Sequence, residues 1–216
     1  PDVRLFATSG ADGHARLLTS DGHEIAMLQG HKNIVSVVTF NPDSSRLATA
    51  GWDGWIRLWN TSGSLIKEWK GHSGKISGLD FSSDGKLLVT ADKGGTIRLW
   101  NTDGQQKLEF FSYQSGVNAL RFIPGTNLIS AGGMDGTVRI WDLAGRQVTE
   151  YTHSEGAIWD IAPTIDGKNI LSGGDSGEIH FWKVWNLSEV INQGCTWLQD
   201  YLDNNDISNK QDICLF

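Results

Sequence analysis

One interval organises this chain. Trp59, Trp100, Trp141 and Trp182 stand 41 residues apart, and one more step back from Trp59 reaches Leu18. The same step joins Gly13, Gly54, Gly95, Gly136 and Gly177, then Gly22, Gly63, Gly104 and Gly145, and also Phe40, Phe81 and Phe122. No insertion or deletion breaks the period between residues 1 and 182. A unit this short cannot bury an apolar face alone, so a fixed period of this length means supersecondary units stacked on copies of themselves.

Each unit reads as four short strands separated by turn chemistry. In the second, the strand signals are IVSVVTF, RLATAG, WIRLWN and SLIKEW. Between them lie Asn41-Pro42-Asp43-Ser44-Ser45, Trp52-Asp53-Gly54 and Thr61-Ser62-Gly63. Asp-Gly between two apolar runs is a tight hairpin signal, because its central positions favour residues that tolerate positive φ. A period of about 40 residues, with Gly-His before the first strand and Trp closing the third, describes a propeller blade.

On these residues the sequence resembles the WD-repeat family. Gly30-His31, Gly71-His72, the hairpins Asp12-Gly13, Asp53-Gly54 and Asp135-Gly136, and the strand endings RLWN, RLWN and RIWD carry the resemblance over residues 1–183. It implies an all-β fold of about five blades, the first and last incomplete, in a partial ring. The expected bounds are 1–29, 30–70, 71–111, 112–151 and 152–183, followed by a helical C-terminal cap over 184–216. It also implies a buried network of His, Ser or Thr, Asp and Trp in each blade. The second blade has a full set in His31, Thr49, Asp53 and Trp59, and is expected to be the most stable. The third keeps His72, Thr90 and Trp100 but has Gly94 in the acidic position. The fourth keeps Asp135 and Trp141, and the fifth Ser172 and Trp182.

Pro1-Asp2 lies 41 residues before Pro42-Asp43, after the point where an innermost strand would end. The expectation is a C-terminal fragment of a longer propeller chain, with the missing N-terminal blades among its partners. After Lys183 the period stops, and Leu187, Val190, Ile191, Cys195, Leu198, Tyr201 and Leu202 follow a helical spacing. That stripe suits either a cap on the propeller or a docking helix. The string GCTWLQDYLDNN resembles the terminus of large bacterial, often cyanobacterial, WD-repeat proteins. Among those, an upstream signalling module such as a NACHT-type NTPase is common.

Composition narrows the function classes. Eighteen basic against 25 acidic residues give a net charge of −7, which provides no electrostatic footprint for nucleic acid or an anionic membrane surface. Two cysteines do not make a disulfide framework, so the expected location is the cytoplasm. None of the six histidines shows zinc-ligand spacing, and there is no nucleophile elbow, phosphate loop or dinucleotide fingerprint. No catalytic residue, metal or cofactor is expected.

What remains is a rigid platform whose sites are residues the scaffold does not need. The resemblance places the residue before each hairpin acid on one face of the propeller: Trp52, Lys93, Met134 and Asp175. Residues flanking the start of each inner strand share that face: Ile34, Ser36, Lys75, Ser77, Asn118 and Trp159. Trp and Met are enriched at interface centres, and a mixed patch of Trp, Met, Lys and Asp suits a protein or peptide ligand. The alternative packs Trp159 in the channel and stacks Trp52 on Trp55. The function expected is a non-catalytic protein–protein interaction scaffold, the sensing or partner-binding part of a signalling chain. The alternatives are the regulatory end of an upstream NTPase or other enzyme, and a propeller enzyme with a channel active site.

Overall fold

The computed structural model describes residues 5–112, 116–152 and 156–185. These residues form eighteen β-strands in five antiparallel sheets, each following chain order, so that consecutive strands within a sheet are neighbours. The first blade is β1 (Leu5–Ser9), β2 (Ala15–Thr19) and β3 (Glu24–Leu28). The second is β4 (Val35–Phe40), β5 (Arg46–Gly51), β6 (Trp55–Asn60) and β7 (Leu65–Lys70). The third is β8 (Ile76–Phe81), β9 (Leu87–Asp92), β10 (Thr96–Asn101) and β11 (Gln106–Phe111), and the fourth β12 (Val117–Phe122), β13 (Leu128–Gly133), β14 (Thr137–Asp142) and β15 (Gln147–Thr152). The fifth is β16 (Ile158–Pro163), β17 (Asn169–Gly174) and β18 (Ile179–Lys183). The fold is all-β, a partial ring of five propeller blades with three-stranded first and last sheets among the described residues.

The chain divides into two compact units, Pro1–Trp182 and Lys183–Phe216. The blades occupy the first. In the second, the Lys183 ammonium lies 3.9 Å above the Trp185 ring. The expected tail helix, with Cys195, falls outside the described residues.

Why the hairpins need glycine is clear at Gly54. Its φ is 74°, and a Cβ there would collide with the carbonyl oxygen of His72 in the next blade. That closeness is used, because the Gly54 carbonyl accepts hydrogen bonds from Gly71 N at 2.9 Å and His72 N at 3.1 Å. One dipeptide thus turns the chain and joins two blades.

Between blades, apolar faces of opposite kind meet. Ala48, Ala50, Ile56 and Leu58 of the second blade pack with Ile76, Leu79, Phe81, Leu88 and Trp100 of the third. One period later, Val89, Ala91, Ile97 and Leu99 join a cluster with Val117, Leu120, Phe122, Ile129 and Trp141. The outer strands of the second, third and fourth blades each lay an aromatic ring against the Trp of the next: Trp69 on Trp100 at 6.1 Å, Phe110 on Trp141 at 5.6 Å and Tyr151 on Trp182 at 5.2 Å. Each fully buried aliphatic side chain contributes about 1.5–3 kcal/mol, so these clusters dominate the stability.

The two end faces lack that cover. Leu47, Leu88, Ile129 and Ile170 are fully buried, yet Phe6 at the same repeat position is 54% exposed. Ile179 and Phe181 are 68% and 70% exposed, whereas Ile56, Ile97, Val138, Leu58, Leu99 and Ile140 stand at 0–4%.

Polar networks fasten the second and third blades internally, and one bond of the network recurs in the fifth. In the second, Trp59 Nε1 donates to Thr49 Oγ1 at 2.9 Å, Thr49 Oγ1 lies 2.9 Å from His31 Nε2, and His31 Nδ1 lies 3.0 Å from Asp53 Oδ1. An ionised Asp53 only accepts, so the donors run in one direction from Trp59 through Thr49 and His31 to Asp53. Burial holds His31 below the usual histidine value, against the pull of Asp53. Burial also pushes the Asp53 carboxyl upward, but hydrogen bonds from His31 and the Trp55 and Lys32 amides outweigh it and keep the group low.

The third blade has the same network with a different acid. Trp100 Nε1 donates to Thr90 at 2.8 Å, Thr90 meets His72 Nε2 at 2.8 Å, and His72 Nδ1 lies 3.1 Å from Asp92 Oδ2. Asp92 stands two residues before Gly94, where the second blade has Gly51, and its carboxylate reaches the space that Asp53 fills from the other side of the turn. In the fifth blade Trp182 Nε1 donates to Ser172 at 2.7 Å. In the fourth, Asp135 instead binds Thr137 and Arg139.

Candidate protein-interaction face

The inner strands β4, β8, β12 and β16 share an irregularity. Each ladder shifts register at its second residue, between Val35 and Val37, Ile76 and Gly78, Val117 and Ala119, and Ile158 and Asp160. A bulge re-aims the side chain it extrudes. Here the extruded residues are Ser36, Ser77, Asn118 and Trp159. The first three reach the next blade: Ser36 Oγ donates to Ile76 O at 2.6 Å, Ser77 Oγ to Val117 O at 2.5 Å and Asn118 Nδ2 to Ile158 O at 2.8 Å. These polar side chains stitch inner strand to inner strand.

Trp159 occupies the stitching position of the fifth blade and does something else. It is 54% exposed, and its indole N–H turns back to Asp175 Oδ1 at 2.5 Å. That hydrogen bond, with one from the Ala157 amide at 3.0 Å, holds the Asp175 carboxyl below the usual range. The indole is therefore fixed in place while its ring faces solvent.

The two groups of residues expected on this face meet through the backbone. Trp52 N donates to Ile34 O, Lys93 N to Lys75 O, Met134 N to Gly116 O and Asp175 N to Ala157 O, all at 2.9–3.0 Å. Four hairpins are thus anchored beside the starts of four inner strands. Side chains then pair across blades, with the Lys75 ammonium 3.9 Å over the Trp52 ring and Lys93 Nζ 2.5 Å from Asn118 Oδ1. Trp52 is half-buried under Lys75, whereas the Arg57 guanidinium lies over the neighbouring Trp55 ring at 5.7 Å. Met134 is 51% exposed. The result is a face with apolar Trp and Met surface beside two lysines and one carboxylate.

Arg57, Arg98 and Arg139 recur at one repeat position on the third strands, paired with acids. Arg57 lies 3.4 Å from Asp53 and 2.8 Å from Glu68, Arg98 2.7 Å from Glu109, and Arg139 2.9 Å from Asp135 and 2.7 Å from Glu150. Each joins the third strand of its blade to the outer strand. Among the described residues, no group of three or more His, Cys, Asp or Glu is placed to hold a metal ion, and no helix is long and apolar enough to cross a membrane.

Two features escaped the sequence reading. Asp92 lies outside the expected register of the acid, and its only sequence signal is an Asp facing a Gly two places on. The bulge left no signal beyond the recurrence of small polar residues at positions 36, 77 and 118.

Among curated proteins no sequence matches this chain. The family model for the WD domain, G-beta repeat, matches residues 22–60, 63–101, 104–142 and 145–183. Each matched segment takes the outer strand of one blade and the three inner strands of the next, so it straddles the interface that the aromatic pairs and the Gly54-type bonds hold together. Four consecutive matches covering most of the sequence agree with the five sheets, the Trp column and the His–Thr–Trp networks, and the chain belongs to the WD-repeat family.

Proposed function

We propose that this chain is a non-catalytic protein-interaction scaffold that captures a polypeptide segment on the face carrying Trp52, Met134 and Trp159. The observation that carries the proposal is Trp159, a large ring left 54% exposed yet fixed by Asp175. An ordered aromatic anchor loses little entropy on binding, which is how such residues come to dominate interfaces. Lys75, Lys93 and Asp175 supply a polar rim that sets the register of the bound segment.

The chain is further proposed to be the C-terminal, partner-sensing part of a larger cytoplasmic signalling protein, with an NTPase or another enzyme as its attached module. In that setting additional blades of the same protein cover Phe6 at one end and Ile179 and Phe181 at the other, where the repeat positions of inner blades are fully buried.

The test places a photo-crosslinking amino acid at position 134, and at position 65 as a control. Crosslinking to one reproducible polypeptide from 134, lost in Trp52→Ala/Trp159→Ala, is the expected result. Equal crosslinking from both positions, or crosslinking that survives the double substitution, refutes the assignment.

A further inference from the structure

The inner strands end, six residues and roughly 17–20 Å from the face just described, at a second concavity. It has a volume of about 410 Å³ and is walled by Phe40, Phe81, Phe122, Pro42, Pro124 and Ile165. The repeat builds it, because the turn after each inner strand places one residue at the rim: Pro42, Ser83, Pro124 and Ile165. Ile165 is 96% exposed, an unusual position for an isoleucine with nothing to cover.

One carboxylate breaks this apolar lining. Asp80 stands at the position held by Thr39, Arg121 and Ala162 in the neighbouring blades. Its Oδ2 accepts the Phe122 amide of the next blade at 2.8 Å and its Oδ1 accepts the Phe81 amide at 3.0 Å. The charged or polar side chains that act on it are the Thr39 hydroxyl and the Arg121 guanidinium. Arg121 is already engaged by the Leu120 carbonyl at 2.8 Å and by Asp160 at 3.3 Å. Among the described residues no cation forms an ion pair with Asp80 within 4 Å.

We propose that this basin is a second binding site, for a polypeptide segment that presents a lysine ammonium beside an apolar side chain. The walls take the apolar group, and Asp80 takes the cation. A lysine fits better than an arginine. Both Asp80 oxygens already accept a backbone N–H and the Thr39 hydroxyl also bonds the carboxylate, which leaves room for a compact point charge rather than for the paired geometry a guanidinium fork requires. Burial first of all pushes the Asp80 carboxyl up to about 6. An ammonium partner would draw it back down, so binding strengthens as the group ionises.

The experiment follows backbone amide signals of the whole chain by NMR while titrating the capped tripeptide acetyl-Leu-Lys-Leu-amide. The same peptide with glutamine in place of lysine is the control. Saturable shifts of Phe81 and Phe122 are expected, with a Kd at least fivefold tighter for the lysine peptide at pH 7.5. Lowering the pH to 5 weakens that peptide up to about tenfold, the change in the ionised fraction of a group titrating near 6. Asp80→Asn abolishes the preference for lysine. Should that variant unfold, Ile165→Ser is the second test; its exposed position leaves the fold intact, and it weakens both peptides alike. Equal affinity for the two peptides, shifts centred on Trp52 and Trp159, or no saturable shift at millimolar peptide overturns the proposal. Trp52→Ala/Trp159→Ala leaves this titration unchanged, so its failure is separable from failure of the interaction face.

Discussion

Moving the acid of the third blade back to the position it holds in the second tests the network most sharply. Asp92→Gly removes the carboxylate that meets the buried His72 Nδ1 at 3.1 Å and accepts the amides of Gly94 and Thr96 at 2.9 Å. Losing a charge-assisted hydrogen bond to a buried partner costs about 1.5–3 kcal/mol, and glycine in a strand adds about 0.5–1 kcal/mol. The expected loss is about 2–4 kcal/mol, or roughly 5–15 °C in Tm for a domain of this size. Asp92→Gly/Gly94→Asp then rebuilds the Gly51 and Asp53 arrangement. A Cβ at Gly94 meets only the Asp92 carboxylate, its nearest atom at 3.2 Å, and that group is gone in the double variant. Most of the loss is therefore recovered, whereas Gly94→Asp alone, setting two carboxylates side by side, is destabilising. Urea unfolding of the four proteins measures the cycle. A cost below about 0.5 kcal/mol for the first substitution, or a double variant no more stable than Asp92→Gly, refutes the equivalence of the two acids.

Ser77→Ala removes the stitch to the Val117 carbonyl and is expected to cost about 1 kcal/mol in urea unfolding; no loss would mean that the inner strands do not depend on the bulge residues. Trp52→Ala/Trp159→Ala forfeits one cation–π contact of about 0.5–1 kcal/mol and the Trp159–Asp175 hydrogen bond of about 0.5–1.5 kcal/mol, so calorimetry should find Tm lowered by less than about 10 °C. Ile179→Ala and Phe181→Ala should each cost less than about 0.5 kcal/mol, while Leu58→Ala at a covered repeat position costs about 2–5 kcal/mol. For Asp80, the folded carboxyl is raised from 3.8 to about 6. It stays protonated where the unfolded chain has ionised, so the contribution of Asp80 to stability is greatest below about pH 4 and is lost as pH rises through 6. Unfolding free energies from pH 4 to 7, taken as wild type minus Asp80→Asn, should show that decline; a flat difference would place Asp80 in solvent.

How much was legible in the sequence follows from how far each interaction reaches. Asp53-Gly54 and its repeats are local: the turn needs positive φ within four residues, so a two-letter signal suffices. Trp59, Trp100, Trp141 and Trp182 are legible because blade stacking demands the same large ring at the same depth each time. Subtracting the periodic residues brought out Trp52 and Trp159 for a related reason, but it also set aside Ser36, Ser77 and Asn118 as residues the scaffold does not need, whereas each hydrogen-bonds the inner strand of the next blade.

The sequence by itself determined the period, the strand count of each blade, the stacking column and the family. Only the tertiary structure decided which acid serves His72, which face of each end blade stands uncovered, and where a bulge turns Ser36, Ser77 and Asn118 toward a neighbour but leaves Trp159 in solvent. It also decided that Asp80 sits among Phe40, Phe81 and Phe122. Those outcomes depend on side-chain direction and on approaches between residues some 40 positions apart. A period announces that such residues are neighbours, but not which of their atoms meet.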